Sequence, residues 1–309
     1  MTTPVSPGQT PRSATLGVLI PFGIVTLIWG STWIVIRDQL GVVPPTWSVA
    51  YRFGVGGIVM LLWALMRRED MRLDARGWAF AGVLGLMQFC LNFNFVYRAE
   101  QFVTSGLVAV VYALLIIPNA TLARIFLGQR MGGQLLFGSV IAMGGVALLF
   151  AHELQHAAAS GDRVLLGMGI TVIGVLCASV ANVMQATSTA KRYPMTPLLG
   201  YAMLMGAAMD AAFASATVGP PVFDWRWAYV AGILYLAIFG SAIAFALYFG
   251  IIRAIGPAKA AYNGVVVPVI AMLLSTLFEG YRWSLLAGAG ALLVLVGLVI
   301  ALSARRPNR

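Results

Sequence analysis

The amino-acid sequence predicts an all-α integral membrane protein of ten transmembrane helices, arranged as two inverted five-helix repeats. Three observations carry that prediction. The 309-residue chain is 60% hydrophobic and only 10% charged, and is rich in Gly and Met, far from the balance of a soluble globule of this length. Its apolar residues gather into ten runs, each near the roughly 20 residues that a bilayer crossing needs. The third observation is an internal echo. Phe126-Leu-Gly-Gln-Arg130 returns as Phe278-Glu-Gly-Tyr-Arg282, and Gly138 and Gly145 return as Gly290 and Gly297, each 152 residues later. Leu27 and Pro45 find Leu176 and Pro194 at an offset of 149. Five spans per half is an odd number, so the second half inserts upside down, and in such repeats the ligand site lies where the halves meet.

Residues 1–15 are polar and Pro-rich and read as a disordered cytoplasmic tail; no clear small-residue cleavage site follows, so no signal peptide is expected. The first repeat, 16–151, holds spans at 16–37, 46–66, 77–98, 103–126 and 132–151. Residues 152–163 form an outer linker. The second repeat, 164–303, holds spans at 164–187, 196–218, 228–252, 258–278 and 283–303, and 304–309 is a second cytoplasmic tail. Charged residues punctuate the runs. Arg37 ends the first span, Arg67, Arg68, Arg72 and Arg76 follow the second, Arg98 ends the third, and Arg124 and Arg130 bracket the end of the fourth. In the second half Arg163, Arg226 and Arg282 precede spans six, eight and ten, while Lys191, Arg192, Arg253 and Lys259 lie on the opposite side. With the N-terminus inside, fourteen Lys and Arg fall in cytoplasmic segments against five outside, a positive-inside bias that puts both termini in the cytoplasm. The formal charge of +10 is therefore topology, not a nucleic-acid footprint. Cys90 and Cys177 lie mid-span and read as small buried hydrophobes.

Several segments resemble a known family. They are Leu27-Ile-Trp-Gly-Ser-Thr-Trp33, Pro44-Pro-Thr-Trp-Ser-Val-Ala-Tyr-Arg-Phe53, Phe126-Leu-Gly-Gln-Arg130 and Gly138 to Gly145. In the second half they are Ile252-Arg-Ala-Ile-Gly-Pro-Ala-Lys-Ala-Ala261, Pro268 and Gly290 to Gly297. Together they resemble the drug/metabolite transporter superfamily, in its ten-span branch of EamA-type carriers, and within it the YddG kind of aromatic amino-acid exporter. The resemblance implies a monomeric basket in the bacterial inner (plasma) membrane. Spans 3, 4, 8 and 9 would be central, spans 1, 2, 6 and 7 would move around them, and spans 5 and 10 would be peripheral. The family commonly has Glu where this chain has Gln129, and Tyr281 holds the equivalent place in the second half, so no ion-pair or proton-linked role carries over to that position.

The interior can be read without that likeness. Arg52 in the outer part of span 2 and Asp210 in the outer part of span 7 are charges at bilayer depth, which are expensive and usually functional. They are candidates for coupling or for an ion pair. A snorkelling Arg, or an Asp that meets outside water, is the plainer alternative. No span holds a cluster of Lys or Arg, which argues against phosphorylated sugars and other anions. Gln88 and Asn92 lie one helical turn apart on one face of span 3. With Asn182, Gln185 and Asn263 they are candidate substrate contacts, with interhelical glue as the alternative. Trp29, Trp33, Tyr112 and Tyr235 are deep rings suited to a bulky molecule with an apolar body, with packing as the alternative. Pro118 and Pro268 each free a backbone carbonyl in corresponding helices and are candidate hinge or gating positions.

One motif points elsewhere. His152-Glu-Leu-Gln-His156 satisfies the zinc-hydrolase pattern H-E-x-x-H. A membrane zinc hydrolase using His152, Glu153 and His156 is the remote alternative to a solvated outer loop. Otherwise the chain reads as no enzyme, with no cofactor, no resident metal and no ATP-binding motif. The expectation is a secondary carrier, exporter or facilitator, that moves aromatic and other large neutral amino acids or related metabolites by alternating access. Export of lipophilic cations, using Asp210, is the runner-up. The depth of the membrane offers no Glu, so transport down the substrate's own gradient is expected, with any proton coupling running through Asp210.

Overall fold

Without water at bilayer depth, an apolar chain must satisfy its N–H and C=O groups internally. The computed structural model describes residues 11–128, 132–156, 161–260 and 263–302, and every regular element among them is helical. The helices are α1 (Pro11–Asp38), α2 (Pro45–Met66), α3 (Ala75–Ala99), α4 (Ser105–Leu127), α5 (Gly133–His156), α6 (Gly161–Gln185), α7 (Met195–Thr217), α8 (Trp227–Ile255), α9 (Asn263–Phe278) and α10 (Leu285–Leu302). Short turns of helix, Ser188–Lys191 and Pro257–Ala260, join α6 to α7 and α8 to α9. Among the described residues seven helices, α1 to α4 and α6 to α8, are long and apolar enough to cross a membrane. Shorter apolar stretches, Leu136–Leu149, Val267–Phe278 and Leu285–Gly297, lie in α5, α9 and α10.

Helices extend into segments read from the sequence as a tail and a linker, and α6 begins at Gly161 within that linker. Helix α1 begins at Pro11, inside the segment read as a tail, and α5 runs through His156, so His152 sits on a helix rather than in a loop. Apolar content marks where a helix must be, but not how far its polar ends continue. The tail residues 1–10 and 303–309, the linker residues 157–160, and Gln129, Arg130 and Tyr262 lie outside the described residues.

Local chemistry sets the ends. Pro44 and Pro194 take nearly the same backbone conformation, φ −55°, ψ 136° and φ −56°, ψ 136°, and launch α2 and α7. Helix α4 stops at Gly128, whose φ of +65° is the left-handed cap that glycine tolerates. The Asp74 carboxylate caps α3, accepting from the Gly77 N–H at 2.8 Å, and also accepts from the Tyr193 hydroxyl, which ties this turn to the one before α7. The Tyr193 bond first, and the Gly77 bond second, hold the Asp74 carboxyl below the usual range.

Two helices change pitch midway. Gly85–Asn92 of α3 and Ile238–Ile243 of α8 are π-helical. Such insertions rotate later side chains about the axis, loosen the regular carbonyl pattern and recur at functional sites.

Lipid removes the hydrophobic drive between helices, so they associate where small residues let backbones touch. Helix α5 packs on α10 and α2 packs on α7. At the first contact a Cβ on Gly145 would lie 2.5 Å from the Gly290 carbonyl oxygen, and one on Gly290 would lie 2.8 Å from the Gly145 oxygen. These are two of the glycines that echo in the sequence. At the second, Gly57 and Gly200 approach in the same way, at 3.0 and 3.3 Å. Helix α1 packs on α9 and α8, α6 on α3 and α4, and α9 on α4, enclosing the centre.

Gly145→Ala should destabilise the fold by about 1–3 kcal/mol, because the methyl overpacks a backbone contact. Gly144→Ala, where a Cβ would meet nothing within 4 Å, should be neutral or slightly stabilising. Thermal unfolding in detergent checks the pair, and equal effects would remove the contact's role. A second prediction concerns Asp74. Its folded carboxyl titrates below the unfolded one, so ionisation stabilises the fold above pH about 4 and that contribution disappears as pH falls through the folded value. Asp74→Asn should therefore melt earlier than the parent at pH 7, and the gap should close in acid.

Candidate functional site

The helices around the centre leave a cavity between them. Helix α1 contributes Trp29, Thr32, Trp33 and Ile36 to its wall, α2 contributes Arg52, and α3 contributes Gln88, Asn92, Phe93 and Val96. From α4 come Ala109, Tyr112, Ala113 and Leu115, and from α6 Ala178 and Asn182. Helix α8 adds Phe245 and Tyr248, and α9 adds Asn263, Gly264, Val267 and Pro268. None of α5, α7 and α10 contributes a described residue to this wall.

Both wall amides of α3, Gln88 and Asn92, lie on its π-helical turn. Tyr112 donates its hydroxyl to Asn92 Oδ1 at 2.6 Å, linking α4 to α3. Gln88 Oε1 is buried and accepts no bond. Thr26 donates to Asn263 Oδ1, linking α1 to α9, and Asn182 Nδ2 reaches Asn119 Oδ1 at 3.5 Å. Rings fill the rest. Trp29 meets Phe245 and Tyr248 edge-on, with centroids 5.2 and 4.7 Å apart, and Trp33 lies 5.4 Å from Tyr112. Phe93 stands 6.0 Å from Phe245. Edge-to-face rings of this kind pack firmly while leaving π faces available.

The π-helical turn of α8 holds the cation. Arg52 is 1% exposed; its Nε donates to Ser241 Oγ at 2.9 Å and its Nη2 to the Gly240 carbonyl at 3.3 Å. Ser241 in turn donates to the Leu236 carbonyl five residues back, at 2.8 Å, a bond that the π geometry permits. Trp29 Nε1 shares the Gly240 carbonyl at 3.2 Å. The guanidinium carbon lies 4.3 Å from the centroid of Phe93 and 5.2 Å from that of Phe53, and Nη1 has no partner.

Of the residues singled out from sequence, Trp29, Trp33, Arg52, Gln88, Asn92, Tyr112, Asn182, Asn263 and Pro268 meet at this wall. Gln185 stands apart: it is buried and accepts from Arg253 Nε and Nη2 at 3.3 and 3.1 Å. Tyr235 shares a 2.7 Å hydrogen bond with Ser31 and stacks on Phe239, off the wall. Pro118 also lies off the wall. Asp210 is fully buried but faces α3, accepting from Asn94 Nδ2 at 2.6 Å beside Cys90, so no ion pair joins it to Arg52. His152 shares a 2.8 Å hydrogen bond with Ser284 through Nδ1 and lies 6.0 Å from the Tyr281 ring. The side chains of Glu153 and His156 lie outside the described residues, and among the described residues no three candidate metal ligands come together.

Sequence reasoning missed Gly240 and Ser241, because no residue pattern announces a π-helical turn. It also missed two carboxylates at helix ends. Glu279 accepts from Ser105 at 2.8 Å and from Ser275, and lies 3.7 Å from Arg37. Glu100 is fully buried, and Arg37 donates to its backbone carbonyl. Burial, and then the charge of Glu279, push the Glu100 carboxyl well above the usual carboxylate range. Short loops that fold inward made both residues look solvated in the sequence.

A model of the EamA-like transporter family matches residues 17–151 and again 165–303. The chain is 22% identical over 274 residues to the uncharacterized transporter YoaV of Bacillus subtilis, covering 89% of this chain and 92% of that one. It is 22% identical to protein PagO of Salmonella typhimurium, covering 94% of each. The uncharacterized inner membrane transporter YedA of Escherichia coli K12 is 29% identical over 81% of this chain and 79% of its own. A solved crystal structure superposes with a TM-score of 0.68 at 20% identity, covering 93% of this chain and 96% of its own; that likeness speaks to the fold alone.

Asn94→Leu should destabilise the protein by about 1–3 kcal/mol, since it strips the amide donor from the buried Asp210 carboxyl. An unchanged melting temperature would mean that Asp210 finds its stabilisation elsewhere.

Proposed function

The chain belongs to the EamA-like transporter family, and we propose that it is a secondary carrier, exporter or facilitator, of aromatic and other large neutral amino acids or related metabolites. The observation that carries this reading is the cavity wall. It combines the rings of Trp29, Trp33, Tyr112, Phe93, Phe245 and Tyr248 with the amides of Gln88, Asn92, Asn182 and Asn263. Rings hold an apolar body, and a few converging polar groups orient it. No described wall residue is Asp or Glu. A lipophilic cation would want an acidic partner, and Asp210, the residue on which that runner-up depended, is bonded to Asn94 instead. The amino-acid reading is therefore preferred.

In this proposal ten spans form two inverted repeats, 16–151 and 164–303, joined by an outer linker at 152–163, with cytoplasmic tails at 1–15 and 304–309. The glycine contacts between α5 and α10 support the repeat, since Gly145 meets Gly290 and their echoes, Gly297 and Gly138, meet in the same way. So do the two π-helical stretches, which correspond when the halves are offset by about 152 residues. The charge bias supports cytoplasmic termini, and the inner-membrane assignment of YedA supports a bacterial inner membrane. The carrier works as a monomer by alternating access, with Pro268 at the wall and Pro118 beyond it as flexing points. Transport runs down the substrate's own gradient, and any proton coupling runs through Asp210.

Counterflow in proteoliposomes with labelled amino acids and lipophilic cations tests the substrate class. In that assay Asn92→Leu should weaken half-saturation about fivefold, the loss of one hydrogen bond, and should lower the melting temperature as well, because Tyr112 loses its acceptor. Full transport at a lowered melting temperature would make Asn92 glue rather than a contact.

A further inference from the structure

Arg52 is the one charged side chain on the described cavity wall. Guanidinium stays protonated in proteins, and burying a cation is costly unless something compensates it. Nothing bonded to it does so fully. Its acceptors are neutral, Ser241 Oγ and the Gly240 carbonyl, and Phe93 and Phe53 present ring faces. The Tyr97 hydroxyl oxygen beside it is a further neutral acceptor, its own proton donated to Gln39 Oε1 at 2.8 Å. Glu100 is within electrostatic range, yet both of its carboxyl oxygens are without a hydrogen bond. Arg52 thus has an unpartnered, buried Nη1 and no ion-pair partner among the described residues.

We propose that Arg52 is the carboxylate-binding pole of the cavity, so that the substrate class is defined by an aromatic body and a single carboxylate, with the amino group dispensable. The inference rests on the reading of the cavity as the transport site. The π-helical turn of α8 fixes Nε and Nη2, which orients the fork and leaves one nitrogen uncommitted. Gly240 must stay small for this to hold, because a Cβ there would lie 2.9 Å from Thr32 Cγ2 and 3.4 Å from Arg52 Nη2. A carboxylate supplies both the missing charge and a charge-assisted acceptor. Among the described wall residues an ammonium group finds no matching carboxylate, only neutral acceptors such as Gln88 Oε1 and ring faces. The acid end is read by charge, and the amine end is not. One guanidinium balances one negative charge, so phosphorylated compounds and dicarboxylates remain disfavoured. The lack of a cationic cluster therefore excludes multiply charged anions, but not monocarboxylates.

The test measures binding of four probes to the purified full-length protein in detergent: 3-phenylpropanoate, phenylalanine, phenylalanine methyl ester and phenethylamine. The two acids should bind within about threefold of each other, and the ester and the amine at least about tenfold more weakly, the scale of one charge-assisted hydrogen bond. Arg52→Gln should erase the acids' advantage, while phenethylamine, relieved of repulsion by the buried cation, should bind no more weakly than to the parent. If that variant does not fold, the four probes on the parent protein decide alone. Ester or amine binding as tightly as the acids would overturn the carboxylate pole and leave the transport reading intact. No binding of any probe would overturn the aromatic substrate class itself, and this proposal with it.

Discussion

The architecture around the cavity depends on one carbonyl. The Gly240 oxygen accepts from Trp29 of α1 and from Arg52 of α2, so three helices converge on a single backbone atom. A regular α-helix would commit that oxygen to its own ladder. The π-helical turn of α8 loosens the commitment, and Ser241 adds the second acceptor for Arg52. Removing the turn would leave a buried guanidinium and a half-buried indole N–H with fewer acceptors at once. Polar satisfaction at depth, more than shape, keeps this part of the structure in place.

The same economy of polar bonds recurs on the other side of the cavity. Tyr112 and Asn92 join α4 to α3, and Thr26 and Asn263 join α1 to α9. Each bond joins two helices that line the cavity, so the groups that orient the wall help to hold it. Lipid-facing contacts rely on glycine instead, where backbones meet directly at Gly145 and Gly290 and at Gly57 and Gly200. Close contact of small residues is the appropriate adhesive where neighbouring lipid is as apolar as the helix.

Much of this was legible in the residues. The apolar runs announced the helices, and the glycine echo marked a contact surface. The four-residue spacing of Gln88 and Asn92 placed both on one face, and both reach the wall. Gln185 shows where that logic ends: it lies three residues from Asn182, but Arg253 claims its amide oxygen. Tyr235 and Asp210 turn toward Ser31 and Asn94 because the rotation of a helix is set by its neighbours, not by its own sequence. Glu100 escaped notice for a different reason, since a charged residue beside Arg98 in a short loop looks exposed until the loop is folded. The π-helical turns left no mark at all, and they carry the arrangement around Arg52.

Helices α5 and α10 form a closed partnership that contributes no described side chain to the cavity. That glycine-bound pair is thereby set apart from the residues that line the cavity. Mutational drift can remodel the reception chamber, ring by ring and amide by amide, without loosening the buttress beside it. A chain divided in this way can change its clientele over evolutionary time while keeping the same frame.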